Sequence, residues 1–267
     1  MSNELLELAT RLATEAADQA YRWRDEGVQV ADLKSSPTDV VTAADRATEA
    51  YLRAELARLR PADAFFGEEA GASGGGSGLT WVVDPIDGTV NYLYRLPAWA
   101  VSVAVVEGDP ATGRTLAGCV AAPALAEVYA AAAGEGATRN GQRLQLTEKT
   151  ELATALIGTG FGYDAVRRTR QAELVARLIG RIRDIRRIGA ASLDLCAVAA
   201  GQLDGYYEAG LHPWDHAAGA LVIREAGGRV GGGPVTDRES EGLLVAANPG
   251  LYGPLNEALT AAGLTPV

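Results

Sequence analysis

Cysteine and histidine are almost missing from this chain of 267 residues, with two of each. Cys119 and Cys196, both in apolar surroundings, exclude a disulfide framework and read as small buried hydrophobes of a reducing compartment. No apolar run approaches the ~18 residues of a membrane span. The opening Ser2-Asn3-Glu4 lacks a basic stretch followed by an apolar one, so no secretion signal and a cytoplasmic location are expected. A basic excess is missing too. The formal net charge of −10 argues against a nucleic-acid footprint; it serves solubility, or part of it gathers around cations. Internal repeats and long linkers are also absent.

What is present is ordinary in bulk, 48% hydrophobic and 22% charged, and long enough to bury a substantial core. Leu5, Leu8, Leu12, Ala16, Ala20 and Trp23 recur at helical spacing over about Glu4 to Trp23. Gln29 to Lys34 reads as a strand, and Ser35 to Asp39 as a turn. Thr42 followed by Asp45 resembles a capping arrangement for a helix that stops before Pro61. Gly71 to Gly78, with five glycines, reads as a flexible loop. Strands are expected over Val101–Val106, Leu116–Ala121, Val128–Ala133, Asp184–Arg187, Gly205–Glu208 and Leu243–Ala246. Helices are expected over Asp164–Ile179, Ser192–Ala200, from Asp215 to Gly227, and over Leu251–Ala261. Helices and strands interleaved in this way give an α/β chain of layered sheets covered by helices.

The most informative stretch is Trp81-Val82-Val83-Asp84-Pro85-Ile86-Asp87-Gly88-Thr89. An apolar strand ends in two carboxylates three residues apart, where oxygen ligands can hold a hard cation. Gly88 lets the backbone approach a ligand, and a helix starting after Asp87 would offer free N–H groups to an anion. Metal and phosphate on one turn are the raw material of phosphoester hydrolysis. Three other acidic sites share the setting. Taken alone, Asp45 reads as a capping residue, Asp215 as an N-cap, and Glu68 beside Glu69 as solvated surface. The hexapeptide Asp84 to Thr89 differs, because so apolar a strand does not leave two carboxylates at its end without partners.

Three blocks carry a family resemblance: Lys34 to Asp45; Gly67-Glu68-Glu69 with Trp81 to Asn91; and Trp214-Asp215-His216-Ala217-Ala218-Gly219 running to Gly228. Between the last two lie Arg187 to Asp194 and Tyr206-Tyr207-Glu208. The chain resembles the inositol monophosphatases, of bacterial type, in the superfamily of lithium-sensitive, Mg²⁺-dependent phosphatases. That resemblance implies alternating helix and sheet layers, an αβαβα sandwich of the inositol monophosphatase/fructose-1,6-bisphosphatase type. It also implies a single domain over 1–267, with an N-terminal half of about 1–146 and a C-terminal half of about 147–267.

Carried over position by position, the resemblance implies that Glu68, Asp84 and the Ile86 carbonyl hold one Mg²⁺ and that Asp84, Asp87 and Asp215 hold a second. A third, weaker ion near Glu68 is implied, and oxygen ligands would accept Mn²⁺ as well. Asp45 would support Thr89, and Glu68 with Thr89 would orient the attacking water. The substrate would lie against Asp87, Gly88, Thr89, Gly189, Ala190, Ala191, Glu208 and Asp215, with Lys34 on an active-site loop. Glu208 suits a neutral polyol, because a carboxylate accepts hydrogen bonds from neighbouring hydroxyls and repels a second phosphate. His212 and His216 are expected to be structural, which disfavours a phosphohistidine route. Val90 departs from the family, where a second hydroxyl often follows the threonine.

The expected activity is hydrolysis of myo-inositol monophosphate to myo-inositol and phosphate. The alternatives are the same chemistry on histidinol phosphate, fructose 1,6-bisphosphate or adenosine 3′,5′-bisphosphate, and a non-catalytic regulatory role. Expected partners are a small phosphorylated polyol and a second copy of the chain in a homodimer, with no nucleic acid and no membrane.

Overall fold

The computed structural model describes residues 2–27, 30–33, 40–231 and 242–263. Its helices are α1 (Ser2–Glu26), α2 (Ala43–Leu59), α3 (Thr89–Leu93), α4 (Ala165–Leu178), α5 (Ala191–Ala199), α6 (Pro213–Glu225) and α7 (Pro249–Ala261). Strands β1 (Val30–Leu33) and β2 (Val40–Thr42) pair with each other. An eight-stranded sheet is built from β3 (Ala64–Gly67), β4 (Gly71–Gly74), β5 (Leu79–Asp87), β6 (Ala100–Glu107), β7 (Arg114–Ala122), β8 (Glu127–Ala132), β9 (Gly136–Arg139) and β10 (Gln142–Arg143). A five-stranded sheet follows, from β11 (Leu156–Thr159), β12 (Asp184–Arg186), β13 (Gly205–Ala209), β14 (Arg229–Gly231) and β15 (Leu243–Ala247).

Side-chain alternation along the strands sorts these elements into five layers. From the large sheet, Trp81, Val83, Val101, Val103 and Val105 point to one face and pack on α1 and α2. Val82, Ala104, Val106 and Val120 point to the other and meet α5 and α6. Tyr206, Leu244 and Ala246 of the small sheet reach the same middle core, whereas Tyr207, Leu243, Val245 and Ala247 turn outward against α4 and α7. The order is therefore helix, sheet, helix, sheet, helix, as expected. The middle helices are rich in Ala because they are pressed from both sides, and where β7 meets α6 the strand itself narrows to glycine. A Cβ at Gly118 would lie 2.9 Å from the Ala218 Cα.

The glycine-rich segment corrects the sequence reading. It starts as β4, an edge strand antiparallel to β3, before continuing to β5. Glycine has little to pack, but this strand is mostly exposed, so its backbone ladder to β3 carries it. The Asn140-Gly141 turn forms as expected, with φ of 50° and 76°, joining β9 to β10. Strands β2, β3, β9, β10, β11 and β14 are not expected from the sequence, each being only two to four residues long. Of the Gln29–Lys34 strand, Val30–Leu33 is observed; Gln29, the Ser35–Asp39 turn and Lys34 lie outside the described residues. No helix among the described residues is long and apolar enough to cross a membrane.

Candidate active site

Strand β5 brings the site together. It lies between β3, parallel to it, and β6, antiparallel, with Gly67 opposite Val83 and Ser102 opposite Asp84. Glu68, next after Gly67, thus emerges beside Asp84. The ladder to β6 slips between Asp84 and Asp87, where Pro85 cannot donate, and both carboxylates end up buried at the strand's end. The Ile86 N–H donates to Asp84 Oδ1 at 3.1 Å.

Gly88 then takes a left-handed conformation, φ 86°, which only glycine adopts at low cost. A Cβ there would lie 3.1 Å from the Ala190 Cβ and the Gly189 carbonyl, so the turn is seated against both residues. The helix expected after Asp87 is only the five-residue α3. That length builds no appreciable macrodipole, so any attraction for an anion is confined to local N–H groups.

Asp45 fills the capping role and a second one together. The Thr42 N–H and hydroxyl donate to its Oδ2 at 2.8 and 2.5 Å, closing a capping box at the start of α2. Its Oδ1 accepts from the Thr89 hydroxyl at 3.0 Å, and Thr89 Oγ1 also lies 3.1 Å from the Ile86 carbonyl oxygen. Burial pushes Asp45 up to about 7, with the Glu68 and Glu69 charges adding and Thr42 opposing.

Asp87 has a function that its local sequence does not disclose. Helix α5 begins at Ala190 without a side-chain cap. Asp87 supplies one from 105 residues away, accepting the Ser192 N–H at 2.7 Å, the Ser192 hydroxyl, and the Ala191 N–H at 3.2 Å. Burial raises Asp87 to about 6 against the Ser192 hydrogen bonds, and Glu68 adds repulsion. A carboxylate has about four lone-pair directions, so these bonds leave acceptor capacity for a cation.

Asp215 arrives on α6. It too serves its own helix, accepting the His212 N–H at 2.6 Å. Trp214 places it: the indole stacks on His212, with centroids 4.7 Å apart, and packs at 5.1 Å on Phe66, just before Gly67. The Ser102 hydroxyl, opposite Asp84, donates to the Trp214 carbonyl at 3.4 Å. Burial, Glu68 and Asp87 push Asp215 well above the usual carboxylate range. Among the described residues, no three His, Cys, Asp or Glu side chains are placed close enough together to hold a metal ion between them. Asp84, Asp87 and Asp215 instead accept backbone N–H groups.

The far wall comes from the second sheet. Gly189, Ala190 and Ala191 lead into α5, and the Asn91 amide ties this segment to the turn, donating to the Ile188 carbonyl at 2.9 Å and the Ala98 carbonyl at 2.6 Å. Glu208 accepts from the Tyr206 hydroxyl; burial raises its carboxyl to about 7 against Tyr206 and Arg187. Asp194, which carried no expectation, is raised by burial, with Glu208 and Asp87 adding, to about 9. His216 is lowered by burial, with Arg224 adding, to about 4 and is therefore neutral at pH 7, in keeping with a structural histidine.

These shifts fix the sign of a pH effect. Asp45 and Asp194 start from 3.8 and Glu208 from 4.5, and all three hold protons more tightly in the fold. Folded protein therefore binds more protons than unfolded chain between those starting values and about 7 to 9, and stability falls as pH rises through that window. His216 opposes this between about 4 and 6.5, one group against these three and the likewise raised Asp87 and Asp215. In chelator, the thermal midpoint is expected to be lower at about pH 9 than at about pH 5. A midpoint that rises over that range, read by calorimetry, would contradict the assignment.

Residues 1–264 match the model of the inositol monophosphatase family. The inositol-1-monophosphatase SuhB of Mycobacterium tuberculosis is 48% identical over 244 residues, 88% of this chain and 83% of that protein. The Nus factor SuhB of Escherichia coli K12 is 37% identical over 250 residues, 92% of this chain and 91% of its own length. The solved structure of Mycobacterium tuberculosis SuhB superposes with a TM-score of 0.82 at 44% identity, covering 97% of each chain. With carboxylates gathered at the end of an apolar strand and this likeness running nearly end to end, the chain belongs to the inositol monophosphatase family of phosphatases.

Proposed function

We propose that this phosphatase hydrolyses myo-inositol monophosphate to myo-inositol and phosphate, and does so with divalent metal. One observation carries the metal reading. Asp45, Asp87 and Asp215 come from different elements, yet each is raised by burial and by the charge of Glu68. So many like charges drawn together fit a site whose charge a cation balances. The donors are all oxygen, which suits Mg²⁺ and admits Mn²⁺. Glu68, Asp84 and the Ile86 carbonyl would hold one ion, Asp84, Asp87 and Asp215 a second, with a third, weaker one near Glu68. Such ions supply a lower pKa to water and offset charge on the leaving alkoxide.

The remaining work falls to the chain itself. The Thr89 hydroxyl donates its hydrogen bond to Asp45, which leaves the Thr89 oxygen free to accept from one O–H of the attacking water, while Glu68 takes the proton of the other. Backbone N–H groups at Gly88 and Thr89 face the phosphate. Gly189, Ala190 and Ala191 make a wall without side chains to crowd a ring. The Tyr206 hydroxyl engages one Glu208 oxygen, and the other accepts from polyol hydroxyls. A homodimer belongs to the same proposal, expected at twice the chain mass by light scattering.

The test is phosphate release from inositol 1-phosphate, histidinol phosphate, fructose 1,6-bisphosphate and adenosine 3′,5′-bisphosphate, with Mg²⁺, with Li⁺ and with excess EDTA. The largest kcat/KM is expected for inositol 1-phosphate, with loss of activity in EDTA and inhibition by Li⁺. Preference for another compound by orders of magnitude would overturn the substrate, and turnover in EDTA would overturn the metal.

A further inference from the structure

Helix α2 carries a second buried carboxylate one turn after Asp45. Glu49 is 2% exposed and, four residues on, shares the helix face of Asp45. Its Oε2 accepts the Glu69 N–H at 2.7 Å and its Oε1 the Ala70 N–H at 2.9 Å. One turn further, Arg53 donates to Glu49 Oε1 at 3.2 Å, to the Gly71 carbonyl at 3.1 Å and to the Ser73 hydroxyl. Its guanidinium lies 4.2 Å from the centre of the Phe65 ring. The β3–β4 turn that carries Glu68 therefore hangs from α2 at two points, and the strand β4 that follows it at two more. A Cβ at Gly67 would collide with Glu49 Oε2 and come within 2.7 Å of the Phe65 ring, so any larger residue there has to displace the Glu49 carboxylate.

None of these groups has a part in the proposed hydrolysis. We propose that Glu49, charge-paired with Arg53, is a positioning residue that fixes the Glu68–Ala70 backbone and so sets how tightly Glu68 can hold Mg²⁺. Two carboxylates on one face of α2 then serve the two arms of the water site, Asp45 holding Thr89 and Glu49 holding the turn of Glu68. Hydrogen bonds from backbone N–H to a carboxylate are charge-assisted and stronger than neutral ones. A glutamine at 49 accepts through only one oxygen and turns its NH₂ toward the other N–H.

The inference rests on the proposed metal role of Glu68, and titration of the intact chain with Mg²⁺ by calorimetry separates the two. Glu49→Gln is expected to raise the Mg²⁺ dissociation constant about 10–100-fold, as loss of an outer support does at metal sites. In phosphate release, the Mg²⁺ requirement should rise more than kcat at saturating Mg²⁺ falls. Arg53→Gln keeps both N–H···O bonds and should raise the constant less. A purely structural role would lower the metal-free unfolding midpoint and leave Mg²⁺ affinity where it was. If Glu49→Gln binds Mg²⁺ as tightly as wild type, or fails to fold while Arg53→Gln binds like wild type, the positioning role is overturned. Wild type that binds Mg²⁺ without turning over any phosphate would overturn the phosphatase reading alone, and wild type that binds no Mg²⁺ would overturn both.

Discussion

Asp84→Asn is expected to bring phosphate release down on the order of 10³-fold, since several kcal/mol of metal-borne charge stabilisation is at stake and each 1.36 kcal/mol is tenfold. Asp84 is the one side chain proposed to touch both principal ions, so its loss is not shared with a neighbour. The variant should still fold. Its oxygen can keep the bond from the Ile86 N–H, 3.1 Å in the native turn, and one charge leaves a crowded acidic site. Metal-free midpoints should be equal or slightly higher in the variant. The contrast appears on adding Mg²⁺: wild type gains about 2.7 kcal/mol at a hundred times the dissociation constant, and the variant gains little. Equal turnover, or an equal Mg²⁺-induced shift, would remove Asp84 from the centre of the site.

Asp87→Ala is expected to fail in two ways that can be measured apart. Turnover should be lost with the ligand. Independently, α5 loses the acceptor at its start, leaving the N–H groups of the buried residues Ala191 and Ser192 unpaired. Unpaired buried donors cost roughly 1–3 kcal/mol each, and relief from the Glu68 charge returns part of it, so a net loss of about 2 kcal/mol is expected in chelator. Denaturant unfolding reads it directly. Ser192→Ala removes the hydroxyl alone and should cost about 1 kcal/mol without abolishing turnover. An Asp87→Ala protein as stable as wild type would show that α5 needs no cap from the first sheet.

How much of this was legible in the chain depends on distance along it. The α2 cap could be read from Thr42 and Asp45 because a capping box is complete within four residues. Helix α1 and the long strands β6 and β7 could be read from their periodicity. Asp45 and Asp215 presented a choice between helix cap and functional carboxylate, and the structure gives each its cap bond while placing it within reach of the Glu68 charge. What stayed hidden was tertiary. Nothing beside Asp87 points to Ser192, and nothing beside Glu49 points to Ala70, because an acidic residue in mid-helix reads as solvated. The sequence reading starts this helix at Ser192, a favoured cap residue, so it gives no sign that α5 begins earlier, after an uncapped Ala190, and takes its cap from Asp87. The glycine-rich edge strand misled for the opposite reason, its local composition opposing what its neighbour's ladder imposes.

The Asp87–Ser192 bond has a bearing on how the protein is made. Asp45, Glu68, Asp84 and Asp87 are synthesised early, but the helix that Asp87 caps and the aspartate at 215 come more than a hundred residues after Asp87. A ribosome that has released only the first sheet has made a strand end with unbalanced carboxylates and no second wall. Contacts this far apart in the chain form late and slowly. On the proposed mechanism, products that end before α6 are therefore expected to release no phosphate, which a phosphate-release assay on the chain truncated before Pro213 would check.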